Sequence, residues 1–460
     1  KQRGIAFVLV LGALTILTVM LTELQDQSSA EFGSALSSRD ALVAEYAAKS
    51  ALNLSRLLIA SEPTIRNALG PILAMMMRGE RPQIPVWEFS DQVLGAFNDS
   101  SGTEAFASFS GLDMRQGKNL GLGNGASFEV KIVDEDAKIN VNLAARNNDF
   151  LQQLLVQQLS ALTFGPQYDP LFESRDADGN FSDRQAICSA LIDWADSKQD
   201  TTLCDPTVTT AQEMPAEDSY YELLPRPYSR KNAGFDSLQE LRRVRGMGDD
   251  FWATFVDPDP ERPDKRVVTV WGASQGININ TAAPQTLLAL VCSLAVPNTR
   301  LCIDPLEMQK FLTVVTMARG FTAGAPAFSS PKAFINALQG KGMLGPLLTA
   351  AGLEPVVLAS PSQAMDRMTT ESKVFSIYAT GRVKSGKRET RLQLHAVVDY
   401  RGAPPPPEAP VLDPNGTQTP ANPPANPDPN ATTPTDPDSA GLTRALAPSP
   451  AGNVVYFRIN

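Results

Sequence analysis

"KQRGIAFVLVLGALTILTVML", residues 1–21, decides how the rest of this chain is read. Two cations and a glycine precede an apolar run over residues 5–21. A secretory signal has a basic start, an apolar core of roughly 7–15 residues and a small-residue cleavage site. Ser28, Ser29 and Ala30 offer such a site, but the run is longer than that core and the polar residues 22–27 intervene. A membrane-spanning helix takes roughly 20 apolar residues, which the run approaches, and charge asymmetry then leaves Lys1 and Arg3 in the cytoplasm and everything after the run outside it. No proline or turn cluster follows before residue 60. Apolar positions recur near helical spacing at Val43, Ala47, Leu54 and Leu58, with Tyr46, Ala51 and Leu57 beside them and Asp40, Glu45, Lys49 and Arg56 between. The pattern predicts one helix of about 55 residues, roughly 80 Å long, stopped at Glu62-Pro63 because proline cannot continue the hydrogen-bond ladder.

The chain's 460 residues suffice for two or three domains with cores of their own. A formal net charge of -10 repels phosphate backbones, so nucleic-acid binding is not expected. The single histidine, His395, leaves no catalytic triad, His-rich zinc site or haem ligation to build. Cys188, Cys204, Cys292 and Cys302 form two close pairs without the Cys-x-x-Cys spacing of zinc sites. In an oxidising compartment the simple pairing is Cys188–Cys204 and Cys292–Cys302, each worth about 2–4 kcal/mol; the alternative is four buried thiols.

"ASFEVKIVDEDAKINVN", residues 126–142, alternates Phe128, Val130 and Ile132 against Glu129 and Lys131, which predicts a half-buried strand, a turn and a second extended piece. Helical patterns then dominate to about Arg367: "DFLQQLLVQQLSALTF", "RQAICSALIDWADS", "SLQELRRVRGM", "APQTLLALVCSLAV" and "LEMQKFLTVVTMA". Strands return at "KVFSIYATGRV" and "KRETRLQLHAVVDY", joined by the hairpin turn Ser385-Gly386-Lys387. In the second strand Leu392, Leu394, Ala396, Val398 and Tyr400 share one face, and His395 lies on the other as a partly exposed strand residue. Fifteen of the 36 prolines fall in residues 403–450, so that stretch builds no core and reads as a disordered or polyproline tether. The β-prone "GNVVYFRIN" after it folds back as an edge strand or docks on a partner sheet.

Gly4 followed by an apolar helix that runs into a globular head resembles the type IV pilin-like proteins. The resemblance implies prepilin peptidase cleavage between Gly4 and Ile5. Counted from Ile5, the fifth mature position is Leu9, where most members of that family carry glutamate. The subclass similar in this respect is the K-type minor pseudopilin of type II secretion systems (general secretion pathway protein K). "DEDAKINVNLAA", "LIDWADSKQD", "AEDSYYELL", "YSRKNAGFDSLQELRRVRGM" and "GININTAAPQTLLAL" occur here in the order found in that subclass. Minor pseudopilins I and J, other pseudopilins, the prepilin peptidase and the inner membrane are the partners it implies. It also implies calcium, at the carboxylates Asp193, Asp196, Asp200, Glu217 and Asp218. Asp193 and Asp196 share a helix face, and such a crowd repels itself unless solvated or bridged by a hard cation. Asp176, Asp178 and Asn180 in "RDADGNFSD" make a second, weaker loop. "LRRVRGMG" and "ININTAAPQTLLAL" also resemble helix-hairpin-helix pieces of periplasmic DNA receptors, but Asp249 and Asp250 at the hairpin oppose a phosphate, so these pieces are read as helix-packing units.

The expectation is therefore an α+β protein: a long N-terminal helix plus an antiparallel pilin-like sheet, interrupted by a large, mostly α-helical inserted domain. Its segments are a leader remnant (1–4), the helix (5–62), the first part of the head (63–142), the insert (143–370), the second part of the sheet (371–402), the tether (403–450) and a terminal strand (451–460). No nucleophile–base–orienter set occurs, so no enzyme is expected. The expected role is a minor pseudopilin at the tip of the pseudopilus, anchored in the inner membrane by a single pass with its head in the periplasm, starting or capping assembly for export across the outer membrane. The alternatives are a minor pilin of a type IV pilus and an anchored periplasmic binding protein.

Overall fold

The computed structural model describes residues 3–76, 82–95, 97–98, 125–173, 181–205, 219–272, 276–322, 325–342, 344–404 and 449–459. Helix α1 runs unbroken from Arg3 to Ala60. Its first half packs against nothing: Ile5, Phe7, Leu9, Leu14, Leu17, Met20 and Leu24 are all more than half exposed. This segment is long and apolar enough to cross a membrane. The second half lies across a four-stranded sheet in the order β1 (Ala126–Asp134), β2 (Val374–Ser385), β3 (Arg388–Asp399), β4 (Asn453–Ile459), every neighbouring pair antiparallel.

The sheet follows from period-two alternation. Phe128, Val130 and Ile132 of β1 stand opposite Gly381, Ala379 and Ile377 of β2, which stand opposite Leu392, Leu394 and Ala396 of β3. These residues share the face that α1 covers, and a one-residue slip would turn them all to the other side. Gly386 takes a positive φ of 65° in the β2–β3 turn, a backbone that glycine adopts freely.

The helix buries only part of the stripe that its hydrophobicity predicts: Ala47 and Ala51 are buried as expected. The buried positions are Asp40, Ala44, Ala47, Ala48, Ala51, Leu52, Ser55 and Ile59. Val43, Leu54 and Leu58 are only half-buried, and Tyr46 and Leu57 are exposed. Close approach is the reason. A Cβ built on Gly381 would overlap the carbonyl of Ala44, so at Ala44 and Ala48 the helix backbone rests directly on the strand and only small side chains fit there. Asp40 secures one end, accepting from Arg388 Nη2 at 2.5 Å. Tyr400 Oη secures the other, donating to the Arg56 carbonyl at 2.9 Å.

Between β1 and β2 the chain builds the insert, whose core extends from Ala137 to Met368. Its longer helices are α2 (Asp149–Thr163), α3 (Arg184–Ala195), α4 (Pro284–Leu294) and α5 (Pro305–Thr322). Asn148 and Asp183 cap α2 and α3 by accepting backbone N–H groups of the first turn. Pro284 opens α4, where its missing N–H is not needed. Disulfides join Cys188 to Cys204 and Cys292 to Cys302. The segment "SLQELRRVRGM", read as helix, forms only the short 3-10 turn Leu238–Arg243. The extended piece after β1 does not join the main sheet: Ile139–Asn140 pairs in parallel with Val268–Thr269 inside the insert. The insert's core cluster takes in Ala137, Ile139 and Val141, ahead of residue 143.

The insert is built twice on one plan. Ile277–Asn278 pairs in parallel with Met368–Thr369 as Ile139–Asn140 does with Val268–Thr269. In both units the first asparagine's side chain accepts the N–H two residues on (Asn140 from Asn142, Asn278 from Asn280). The second asparagine clamps a phenylalanine backbone: Asn142 accepts the N–H of Phe235 and donates to its carbonyl, and Asn280 does the same with Phe328. Each closing threonine accepts the N–H two residues later, Thr269 from Trp271 and Thr369 from Glu371. The signal lies open in the sequence as "INVN" at 139–142 and "ININ" at 277–280.

The seam makes a sharp prediction. Gly381→Ala forces helix and sheet apart and is expected to destabilise the head by about 3 kcal/mol or more. Gly386→Ala, in open space on the same hairpin, is expected to cost only about 1 kcal/mol. Urea unfolding of both variants followed by circular dichroism measures the difference, and equal losses would refute the close-approach account.

Candidate functional site

Three places carry the features that bear on function: the start of α1, the junction between sheet and insert, and the acidic turn after α3. Gly4, Ile5 and Leu9 lie on the first turns of α1 with their surfaces open. Gly4 and Ile5 are exposed on the helix surface, and Leu9 presents an exposed apolar side chain one turn further on.

At the junction, "DEDAK" places four charged residues in the interior. Asp134, Glu135, Asp136 and Lys138 are all buried. Asp134 Oδ2 accepts the hydroxyls of Thr281 and Ser372, each at 2.5 Å. Asp136 Oδ2 accepts the N–H groups of Lys373 (2.7 Å) and Val374 (3.1 Å), and the Asp136 carbonyl accepts from Asn278 N–H at 2.9 Å. These contacts tie the end of β1, the second unit of the insert and the start of β2 together. Glu135 pairs with Lys138 at 2.9 Å and accepts the Thr269 hydroxyl from the first unit. Burial, and then the neighbouring Asp136, push Asp134 well above the ordinary carboxylate range. Burial works in the same direction on Glu135, but Lys138 and the Thr269 hydroxyl outweigh it and hold that group below its usual value. Reading the sequence as strand, turn and strand missed this knot; four charges within five residues, 134–138, were its visible sign.

The acidic turn holds the carboxylates singled out for calcium. Asp193 is buried on α3, and its Oδ1 accepts the N–H of Thr202 at 2.9 Å. Asp196 is fully buried, with Oδ2 accepting from Gln152 Nε2 at 2.9 Å. Its Oδ1 is buried with no hydrogen-bond partner. Burial raises Asp193 to about 7 and raises Asp196 as well. Asp200 is exposed. Glu217 and Asp218 lie outside the described residues, as do Asp176, Asp178 and Asn180. Arg230, which pattern reading did not single out, is buried beside this pair and donates to the Asp193 carbonyl at 3.3 Å and the Lys198 carbonyl at 3.2 Å. Among the described residues no three His, Cys, Asp or Glu side chains converge as a metal site would require. The unpartnered Asp196 oxygen and the protonation-prone Asp193 fit an added cation in part. The Cys188–Cys204 disulfide closes the loop around the turn.

An apolar helix long enough to cross a membrane, continuing into an antiparallel sheet that carries a duplicated, disulfide-stapled helical insert, defines the class: an α+β protein with a candidate membrane span. Residues 137–255 match the family model described as type II secretion system (T2SS), protein K. That stretch is thus similar to protein K of type II secretion systems, and the match begins at Ala137, where the insert's core begins. A secretion-system family agrees with the expectation that the chain is not an enzyme. Among solved structures, the GspK-GspI-GspJ complex from the enterotoxigenic Escherichia coli type 2 secretion system is similar at 15% identity and a TM-score of 0.32, covering 60% of this chain and 75% of that one. A likeness that distant carries no argument. No curated protein matches the sequence.

The junction sets a pH dependence. Because the folded chain holds the Asp134 proton above the ordinary value, it binds more protons than the unfolded chain from about pH 4 upward. Stability therefore falls as pH rises from about 4 toward neutrality. Asp134→Asn is expected to flatten that slope, as read from urea midpoints between pH 4 and 8. A variant with the slope of the parent would show that Asp134 is not its source.

Proposed function

We propose that this chain is a minor pseudopilin of a type II secretion system that occupies the tip of the pseudopilus. The observation that carries this reading is the continuity of α1, one rod from its apolar end to the sheet that bears the protein K-like insert, with Leu9 where a carboxylate would otherwise stand. In a filament of such rods, a fibre subunit offers its acidic side chain to the amino terminus of the subunit above. Burying a carboxylate in lipid or in an apolar bundle without that partner costs several kcal/mol. A subunit with nothing above it is better served by leucine. The bulk of the duplicated insert supports the same place, since a wide head crowds its neighbours along a fibre but not at its end. In this reading the apolar half of α1 spans the inner membrane before assembly, the head faces the periplasm, and the prepilin peptidase cuts after Gly4. Pseudopilins I and J pack along the exposed shoulder of α1 that includes Tyr46 and Leu57. Disulfides at Cys188–Cys204 and Cys292–Cys302 accord with a periplasmic head.

The test replaces Leu9 with glutamate. The variant is expected to leave the tip and to secrete poorly while the head stays folded; unchanged tip placement and secretion would remove the electrostatic argument. Mass spectrometry of the mature chain is expected to show Ile5 as its first residue.

Calcium is proposed at the acidic turn, held by Asp193, Asp196 and Asp200 together with Glu217 and Asp218. Bound there, the ion would neutralise two buried carboxylates and fasten the turn to the disulfide loop. At one hundred times its dissociation constant such an ion adds about 2.7 kcal/mol of stability. Calcium is expected to raise the melting temperature relative to chelator for the parent chain and not for Asp196→Asn. An equal response of both, or none, would overturn the calcium proposal and leave the two buried acids held by Thr202, Gln152 and Arg230.

A further inference from the structure

A polar cavity of about 150 Å³ lies between the sheet and the insert. Three parts of the chain wall it. Thr269 and Trp271 come from the first unit of the insert, Tyr378 and His395 from β2 and β3, and Tyr456 and Arg458 from β4. The cavity is therefore complete only with β4 seated on β3, where Arg56 also holds it by donating to the carbonyls of Ala451 and Gly452.

One side of the cavity is aromatic. The Tyr456 ring lies 4.8 Å from Trp271 and 5.2 Å from His395, and His395 stacks on Tyr378 at 4.2 Å. A void of this size takes roughly one benzene ring. The charges on its walls do not cancel. Glu135 is neutralised by Lys138 at 2.9 Å, and Arg266 by Asp257 at 2.9 Å. Arg458 is left over, since it makes no ion pair among the described residues. A second group left over is His395 Nε2, which is buried with no hydrogen-bond partner. Burial, against the opposing pull of Glu135, pushes this imidazole down to about 4, so it is neutral near neutral pH. A neutral imidazole can carry its hydrogen on Nε2 and donate it. Leaving such a group unpartnered in the interior is costly. A spare guanidinium and a buried ring nitrogen suit a carboxylate, and the surrounding rings suit a flat apolar body.

We propose that this cavity is a binding site for a small aromatic carboxylate, with its ring against Tyr456, Trp271 and His395 and its charge paired with Arg458 and His395 Nε2. Glu135 does not oppose such an anion, because Lys138 already answers its charge. A ligand seated there touches sheet, insert and last strand at once, and so fastens β4 to the insert. The proposal is independent of the secretion reading.

The probe is benzoate, titrated into the full-length chain in detergent. His395 is the chain's single histidine, so in a chain isotope-labelled at histidine its imidazole Cε1–H resonance reports this site alone. Benzoate is expected to shift that resonance saturably. Benzamide, which has the ring without the charge, and inorganic phosphate, which has charge without the ring, are each expected to bind about tenfold more weakly or worse. Arg458 is exposed on an edge strand, so its replacement leaves the core untouched. Arg458→Gln is expected to weaken benzoate by about tenfold or more, while Arg458→Lys keeps most of the affinity. An unmoved resonance with benzoate would overturn the proposal and leave a cavity filled by water. Equal binding of benzamide would overturn it in favour of an apolar void, and equal binding of phosphate in favour of a simple anion site. Benzoate affinity unchanged in Arg458→Gln would also refute it, since the ion would then bind elsewhere.

Discussion

The contact between the helix backbone and Gly381 governs this architecture. A single rod has to be both membrane-compatible at one end and firmly held by a soluble sheet at the other. Large apolar side chains could satisfy the first demand along its whole length, but they would keep the rod away from the sheet. Alanines at 44, 47, 48 and 51, facing a strand position with no side chain, let the two backbones meet, and dispersion over that close contact replaces bulky hydrophobic burial. Polar anchors at each end, Asp40 with Arg388 and Tyr400 with the Arg56 carbonyl, fix the crossing.

The insert hangs from this frame through a small set of buried charges. Leaving β1 at Asp134 and returning at Val374, the chain passes through carboxylates that accept hydroxyl and amide donors from both units of the insert and from the returning strand. Such a knot holds its shape only if every partner is present, because an unpartnered buried carboxylate is costly. It gives the large appendage a defined seat on a small sheet, which is what a subunit needs if a wide head is to sit in one orientation above a narrow rod. The duplication helps for the same reason: two copies of one strand-and-clamp device close the insert at its entry and at its exit.

Much of this was legible in the chain. The unbroken rod, the alternating strands, the Ser385–Gly386–Lys387 turn and the split of one sheet around a helical insert follow from periodicity and turn chemistry, which are local properties. The tandem "INVN" and "ININ" segments were legible too, though reading each for its own propensity passed over their likeness. What the reading misplaced was of another kind. The reading of α1 placed Ala47 and Ala51 in the buried stripe, where they are, but added Val43, Leu54 and Leu58, which hydrophobicity favours and which the close approach at Gly381 leaves half-buried. The 238–243 segment was given a helix that its neighbours shorten to a single turn. At the acidic turn, spacing put Asp193 and Asp196 on one helix face, whereas the helix ends at Ala195 and Asp196 is its extended cap, and Arg230, thirty-odd residues downstream, entered only through folding.

By itself, then, the sequence determined the period of each element, the anchor's length and polarity, and the cysteine and carboxylate positions, because these depend on residues within a few turns of one another. Only the tertiary structure decided which face of the rod is buried, which acids lose water, and where the last strand comes to rest. Those outcomes depend on distances between segments far apart in the chain: a glycine 337 positions from the alanine it touches leaves no local trace.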